Sequence, residues 1–517
     1  PTIDSSFFIP HFTPPSMTYE FGMIGLGTMG RNLVLNIADH GFAVAGLDKD
    51  AAKVQLLHTE AAEDVSKITG RARTVQGTTE MAAFIASLAT PRRVMMLVPA
   101  GAAVDSVIAD LLPHLSPDDL IIDGGNSHYV DTARRVKALA EKGLRSVGVG
   151  VSGGELGARF GPAMMPGGDP EAWKILKPIF EAIAAKAPDG RPCVAYMGAG
   201  PAGHFVKMAH NGIEYGVMQL LAEAYDLLRR GLGLSVAEIA AEFEKWNTTP
   251  ELQSFLVQIT AIVLRQPDDR DGTRPLIDII RDRARSKGTG KWTSQAAMDL
   301  AVPAFTIDAA VAARDISARD TERAAAAQLL TGAAAPTAAP DRAALLDALP
   351  HAVYCALVMC YAQGLDLLRV ASKEYGYGTD LATVARIWRA GCIIRAALLE
   401  EITDAYEANP ALPNILQDAT IGGHVVSRQA PFRAIAQTFI TLGIPAPALL
   451  NSLVYFDSYR TARLPANLTQ AQRDYFGAHT YERFDAEGTF HTLWSEVSTA
   501  QASGPAPQAE SLTKPIG

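Results

Sequence analysis

Phe21-Gly22-Met23-Ile24-Gly25-Leu26-Gly27-Thr28-Met29-Gly30 decides the fold of the N-terminal part of the chain. Phe21 to Ile24 is a short apolar run that breaks at once into a G-x-G-x-x-G turn. Asn32-Leu33-Val34-Leu35-Asn36-Ile37-Ala38 beyond it reads as a helix, and Phe42-Ala43-Val44-Ala45-Gly46-Leu47 as a second strand closed by Asp48. A glycine motif alone says little. Between a strand and a helix, with an acidic residue ending the next strand, it reads as a dinucleotide-binding turn. The glycines let the backbone approach a pyrophosphate seated on the helix N-terminus. Gly25, Leu26, Gly27, Thr28, Met29 and Gly30 are therefore expected to touch a cofactor. Asp48 is placed to accept hydrogen bonds from both hydroxyls of the adenosine ribose and to repel a 2′-phosphate. Lys49 suits a phosphate, but Asp50 adds negative charge. The balance favours NAD, with NADP as the alternative.

The alternation of strands and helices continues. Arg93-Val94-Met95-Met96-Leu97-Val98 is a buried-type strand ending at Pro99-Ala100-Gly101. Leu120-Ile121-Ile122-Asp123 ends at Gly124-Gly125-Asn126-Ser127, and Ser146 to Val151 ends at Ser152-Gly153-Gly154. Ligands of parallel sheets bind beyond the carboxyl ends of strands, so Asn126 and the Ser152-Gly153-Gly154 turn are expected to hold a substrate beside the dinucleotide. Turn chemistry alone is the competing explanation of each.

After Pro201 the chain becomes mostly helical. Residues 203–230 lack proline and are rich in helix formers, so one long helix is expected. On it His204, Lys207, Asn211, Glu214 and Met218 share one row, with His210 and Tyr215 beside them. A lysine, an amide and a carboxylate in apolar surroundings need partners. Lys207 and Glu214 are too far apart for a local helix pair, which argues against an ordinary solvated face. Gly212 and Gly216 mark a stripe where another element comes close. Further on, Asp268 to Thr273 reads as an exposed loop. Ser286-Lys287-Gly288-Thr289-Gly290-Lys291-Trp292-Thr293 reads as a small basic turn suited to a phosphate, without full P-loop spacing. The alanine-rich stretch 324–341 reads as a surface linker.

Ala222-Glu223-Ala224-Tyr225-Asp226-Leu227-Leu228-Arg229 is echoed by Ala362-Gln363-Gly364-Leu365-Asp366-Leu367-Leu368-Arg369. In that register Asp347, His351 and Tyr354 stand opposite Lys207, Asn211 and Glu214. A duplicated helical unit with one polar, active copy is expected; chance similarity between common residues is the alternative.

Composition bounds the rest. A length of 517 residues implies two or three domains. The net charge of −9 argues against bulk nucleic-acid binding and means that an anionic substrate needs a local basic cluster. Cys193, Cys355, Cys360 and Cys392 show neither metal-ligand spacing nor a disulfide framework, which points to a reducing, cytoplasmic setting and to no metal. No signal pattern or apolar run of membrane-spanning length is evident. The expected divisions are an extension over 1–16, with Met17 as a natural start; a Rossmann-like domain over 17–200; an all-helical domain over 201–461; and a C-terminal tail over 462–517, disordered at its end.

The stretches Ile24–Gly30, Ile121–Ser127, Gly150–Gly168, Gly203–Tyr215, Lys287–Trp292 and Gln472–Tyr481 together resemble the decarboxylating 6-phosphogluconate dehydrogenases, over roughly Met17 to His491. The resemblance implies a Rossmann-like domain, a large duplicated helical domain, and a tail that reaches the partner subunit of a homodimer. It implies Lys207 as general base and later acid, and Glu214 as the acid that protonates the product carbon. It further implies that Asn126, Ser152, Gly153, Gly154, His210, Asn211 and Tyr215 hold the sugar acid, and that Lys287, Thr289 and Arg314 grip its phosphate and hydroxyls. Arg473 and His479 would come from the other subunit. The cofactor would also touch Val98, Pro99, Ala100 and Asn126. Members that use NADP commonly carry Asn-Arg-Thr where this chain has Asp48-Lys49-Asp50. Pro99 and His128 also depart from the family pattern. The rival readings are a β-hydroxyacid dehydrogenase for small unphosphorylated acids and a non-catalytic nucleotide-binding protein.

Overall fold

The computed structural model describes residues 18–63, 65–331 and 341–494, and the backbone of Thr513–Ile516. The extension 1–16, Met17 and most of the expected disordered end lie outside the described residues. The chain forms two compact units, divided after Leu453, and each is described by itself.

The first unit opens with a seven-stranded sheet of order β3-β2-β1-β4-β5-β6-β7. Its strands are β1 Phe21–Ile24, β2 Val44–Leu47, β3 Val75–Thr78, β4 Arg93–Met96, β5 Leu120–Asp123, β6 Arg145–Ser152 and β7 Ala163–Gly168. Strands β1 to β6 pair in parallel, and β7 is antiparallel to β6. Helix α1, Thr28–Asp39, follows the glycine turn, and α2, Ala51–Ala62, follows β2. Strands β2 and β4 are shorter than expected, because Phe42 and Ala43 only lead into β2 and Leu97 and Val98 already turn away. The apolar side chains of β1, β4 and β5 fill two cores, one on each face, as a doubly wound sheet requires.

The helical part begins with α3, Ala202–Asp226, which runs on as a π-helical turn over Leu227–Gly231. It continues with α4 Val236–Trp246, α5 Phe255–Arg265, α6 Thr289–Asp299, α7 Phe305–Ser317 and α8 Asp320–Leu329. A second set follows: α9 Arg342–Glu374, α10 Leu381–Ile387, α11 Leu398–Ala408, α12 Ala419–Leu442 and α13 Pro447–Tyr459. The long helix α9 starts 140 residues after α3 (342 against 202), the register of the sequence echo, and the helices that follow recur in the same order. The isolated bridge between Ser254 and Ala396 joins nearly equivalent points of the two sets. Helix α9 is long and apolar enough to cross a membrane by length and composition, contrary to the sequence expectation, but 61% of that window is buried inside the fold.

Three further expectations are corrected. The stretch read as a linker begins inside α8, which runs to Leu329 because its alanines are strong helix formers; residues 332–340 lie outside the described residues. The basic turn is shorter than read, since Thr289 already starts α6 behind Gly288. Asp268, expected on an exposed loop, is buried and folds that loop by accepting from Arg270 N and Arg274 Nε.

The second unit contains α14, Ala466–Gly477, and the strands β8 Tyr481–Glu482, β9 Thr489–Thr492 and β10 Thr513–Ile516, in the order β10-β9-β8. Part of the tail end expected to be disordered is thus a strand paired with β9.

Candidate active site

Helix α3 lies directly on the sheet because glycines make room for it. A Cβ on Gly167 would stand 2.2 Å from Gly203 N, one on Gly148 2.9 Å from the His204 ring, and one on Gly150 2.3 Å from Lys207 Cβ. On its other sides Gly212 admits Thr293 of α6 and Gly216 admits Cys360 of α9. His204, Lys207 and Asn211 of the row are therefore buried between the sheet and the two halves of the helical region, while Glu214 is half-buried.

Lys207 Nζ donates to Asn211 Oδ1 at 2.7 Å and lies 3.3 Å from His210 Nδ1. His210 Nδ1 is 3.0 Å from the same Asn211 oxygen, and its Nε2 is 3.2 Å from Ser152 Oγ. A carbonyl oxygen only accepts, so His210 carries its proton on Nδ1 and the Ser152 hydroxyl donates to Nε2. Ile393 N–H donates to Ser152 Oγ, and the Trp388 ring packs edge-on to His210. Burial pushes the Lys207 ammonium below its ordinary pKa, against the opposing pull of Glu214 and Cys392. Burial, with Lys207 alongside, pushes His210 well down, so its ring is neutral. Burial raises the Glu214 carboxyl against Lys207 and Arg314. One helical face thus carries a lysine biased toward its free-base form and a carboxyl biased toward its acid form, two turns apart.

Toward the end of this row the Arg314 guanidinium covers the Tyr215 ring at 3.3 Å. Gly290 makes room for the same ring; a Cβ there would stand 2.4 Å from it. Thr289 is buried at the start of α6, and Lys287 is exposed just before it. Gly290 and Arg314 are thereby brought to Tyr215, with Thr289 and Lys287 just before Gly290 in the chain.

At the strand ends, Asn126 is exposed on a loop fixed by Asp123, which accepts from Gly125 N at 3.0 Å and Ser127 Oγ at 2.6 Å. Gly153 and Gly154 have φ of 118° and 63°, a conformation that favours glycine, and the Gly391 carbonyl occupies the place where a Gly153 Cβ would sit.

The glycine turn fits a dinucleotide. Gly25 has φ of 94°, a Cβ on Gly30 would strike Gly25 O at 1.9 Å, and the space over Gly27 is open. Asp48 accepts from Leu26 N at 2.8 Å and Asp50 N at 3.0 Å, which aims its carboxylate along the turn. Asp50 caps α2 through Ala52 N, and exposed Lys49 lies 3.8 Å from Asp110. Lys53, which the sequence reading missed, lies 3.5 Å from both Asp48 oxygens. Val98, Pro99 and Ala100 follow β4 at the same sheet edge. His128 packs against Tyr129 and Trp292, so this departure fills an aromatic cluster. Arg473 and His479 belong to the second unit, where both are exposed.

The supports of the site were also missed. Arg135 braces Asp123 at 3.6 Å and is itself held by Asp105 and Gly101 O. His204 meets Thr132 at 2.7 Å. The Trp388–Ile394 loop buttresses Ser152 and His210 from the second half. Their partners lie tens to hundreds of residues away, where no local pattern signals them.

Known proteins resemble the chain along nearly its whole length. The family model described as the NAD binding domain of 6-phosphogluconate dehydrogenase matches residues 20–198, and that described as the 6-phosphogluconate dehydrogenase C-terminal domain matches 203–494. The Bacillus subtilis protein named "6-phosphogluconate dehydrogenase, NADP(+)-dependent, decarboxylating" is 47% identical over 92% of this chain and 99% of its own length. The decarboxylating 6-phosphogluconate dehydrogenase of Synechococcus elongatus is 48% identical at the same coverage. The solved structure of Plasmodium falciparum 6-phosphogluconate dehydrogenase, 39% identical, covers 92% of this chain and 100% of its own with a TM-score of 0.87. The chain belongs to the 6-phosphogluconate dehydrogenase family.

Proposed function

We propose that the chain catalyses the oxidative decarboxylation of 6-phospho-D-gluconate to D-ribulose 5-phosphate and carbon dioxide. It would use NAD in preference to NADP and act in the cytoplasm as a homodimer in which Arg473 and His479 of one chain complete the substrate site of the other. The observation that carries this reading is the buried Lys207–Asn211–His210–Ser152 network with Glu214 on the same helix face.

Lys207 in its free-base form takes the proton of the C3 hydroxyl. A bound nicotinamide supplies the acceptor for the hydride of C3. Lys207, now an ammonium, faces the new C3 oxygen and gives its proton to it as carbon dioxide leaves, so that the enediol forms. Glu214 then gives its proton to C1 of the enediol, while the hydroxyl that Lys207 protonated returns its proton to Lys207 and becomes the product carbonyl. Asn211 and His210 hold the Lys207 amine in place, and Ser152, with Gly153, Gly154 and Asn126, orients the acid. Lys287, Thr289, Arg314 and Tyr215 hold the phosphate, a local positive site in a net acidic chain.

The NAD preference rests on Asp48, whose carboxylate is aimed along the turn by Leu26 N. It departs from the Bacillus subtilis relative, which is named as NADP(+)-dependent. The test follows nicotinamide reduction with 6-phosphogluconate, using NAD and NADP in parallel. Faster turnover with NAD supports both parts of the reading. Faster turnover with NADP overturns the Asp48 part alone. Turnover only with unphosphorylated 3-hydroxy acids overturns the substrate.

A further inference from the structure

We propose that Asp474 is the positioning residue that makes the tail a rigid donor of Arg473 and His479. The inference rests on the reading that these two residues serve the partner's substrate site. Helix α14 inverts the usual pattern of a surface helix. Its buried residue is a carboxylate, Asp474, at 0% exposed, while the aromatic Tyr475 and Phe476 beside it are 69% and 72% exposed. A buried carboxylate persists only when its oxygens are satisfied. Asp474 accepts from Thr480 N at 2.9 Å, Thr492 N at 3.1 Å, His491 Nδ1 at 2.9 Å and Trp494 Nε1 at 2.9 Å. These donors come from the turn after the helix, from β9 and from the segment beyond it. One side chain therefore closes helix, turn and hairpin onto each other.

His479 sits at the centre of that closure. It lies between Ala478 and Thr480, whose φ values of 48° and 59° are disfavoured for residues that carry a Cβ. The Thr480 N–H bond to Asp474 holds the turn in this form. Gly477 leaves room for the His479 ring, since a Cβ there would stand 2.7 Å from it. Gln470 accepts from Arg473 Nη1 at 3.0 Å and donates to the carbonyls of His479 and Thr480. The two residues are thus tied to each other through Gln470, and the turn that carries His479 is locked onto the helix that carries Arg473 by Asp474. Both are exposed on the locked unit. Groups fixed before binding need not be ordered by the substrate, so loosening them weakens binding.

The test uses isolated mixed dimers of differently tagged full-length chains. The Asp474→Ala homodimer is expected to raise KM for 6-phosphogluconate by about tenfold or more and to speed amide exchange over residues 478–482. In a dimer that pairs an Asp474→Ala chain with a Lys207→Ala chain, the intact tail and the intact base meet in one of the two sites. About half of the wild-type activity, at the wild-type KM, is expected there. An Arg473→Ala chain paired with Lys207→Ala runs in parallel. Recovery with Arg473→Ala but not with Asp474→Ala overturns the inference and leaves the trans reading standing. Recovery with neither overturns the trans reading itself. An Asp474→Ala homodimer with KM within about twofold of wild type also overturns the inference. Where Asp474→Ala does not fold, Asp474→Asn, which keeps an acceptor oxygen, replaces it and is expected to give the same direction at smaller size.

Discussion

Glu223 and Gln363 occupy the same place in the two halves of the helical region, and each caps the first turn of a helix in the other half. Glu223 on α3 accepts from Ala448 N and Leu449 N at the start of α13, both at 2.8 Å. Gln363 on α9 accepts from Thr306 N at 2.9 Å at the start of α7 and donates to Thr306 Oγ1. The duplicated unit is thus closed by a crosswise pair of caps, one able to ionise and one not.

This difference predicts a pH dependence. Burial, against the donors Ala448, Gln219 and Leu449, pushes Glu223 up to about 7. A carboxyl raised on folding stabilises the fold fully below the unfolded value and loses that contribution as pH rises through the folded one. Glu223→Gln should therefore flatten the fall in Tm between about pH 5 and 8, a window worth on the order of 3 kcal/mol in the native chain. Thermal melts of both chains across that range check it; parallel curves would refute it.

The Lys207 and Glu214 shifts run toward each other, one down and one up. The rate should rise as Lys207 loses its proton and fall as Glu214 loses its own. The bell of kcat/KM against pH should accordingly be narrower than ordinary lysine and glutamate would give, with two apparent values that belong to the pair. Lys207→Ala should lower kcat by about a thousandfold or more, and Glu214→Gln should remove one limb of the bell. Steady-state profiles of the three proteins measure this.

Asp48→Asn keeps an acceptor for Leu26 N but removes the charge proposed to repel a 2′-phosphate. The ratio of kcat/KM for NAD to that for NADP should fall by about tenfold or more, with Lys53 freed from its carboxylate partner. Kinetics with both cofactors decide it, and an unchanged ratio would remove Asp48 from the specificity argument.

Gly150→Ala would place a methyl 2.3 Å from Lys207 Cβ. Helix or strand must shift, at roughly 1–3 kcal/mol of stability. The amine moves with it, so kcat should drop by at least about tenfold while the Kd for the dinucleotide stays near wild type. Calorimetric binding alongside kinetics separates the two effects.

The glycine turn, Asp48 and the Lys207–Asn211–Glu214 row were legible because each is local: a strand, a turn and a helix face are written within a dozen residues. Strand β3, Val-Gln-Gly-Thr, is a polar edge with no apolar run to mark it. Strand β7 contains Pro166, Gly167 and Gly168, residues that weaken a strand signal, and only pairing with β6 makes it a strand. The 324–341 stretch misled because alanine beside proline and threonine reads as a linker, while the alanines alone favour helix. Asp474 gives no local sign at all, because its donors lie 6 to 20 residues onward.

The trough of glycines beneath α3 has one more consequence. Where side chains separate a helix from a sheet, their sizes set the spacing, and exchange of one apolar residue for another changes it. Here main chain rests on main chain where Gly203 meets Gly167 N and the carbonyls of Gly148 and Met165. The offset between Lys207 on the helix and the strand ends below it is then set by the close approach of the two backbones. Drift in the surrounding hydrophobic residues leaves that offset untouched, so the site has a ruler that ordinary sequence variation does not recalibrate.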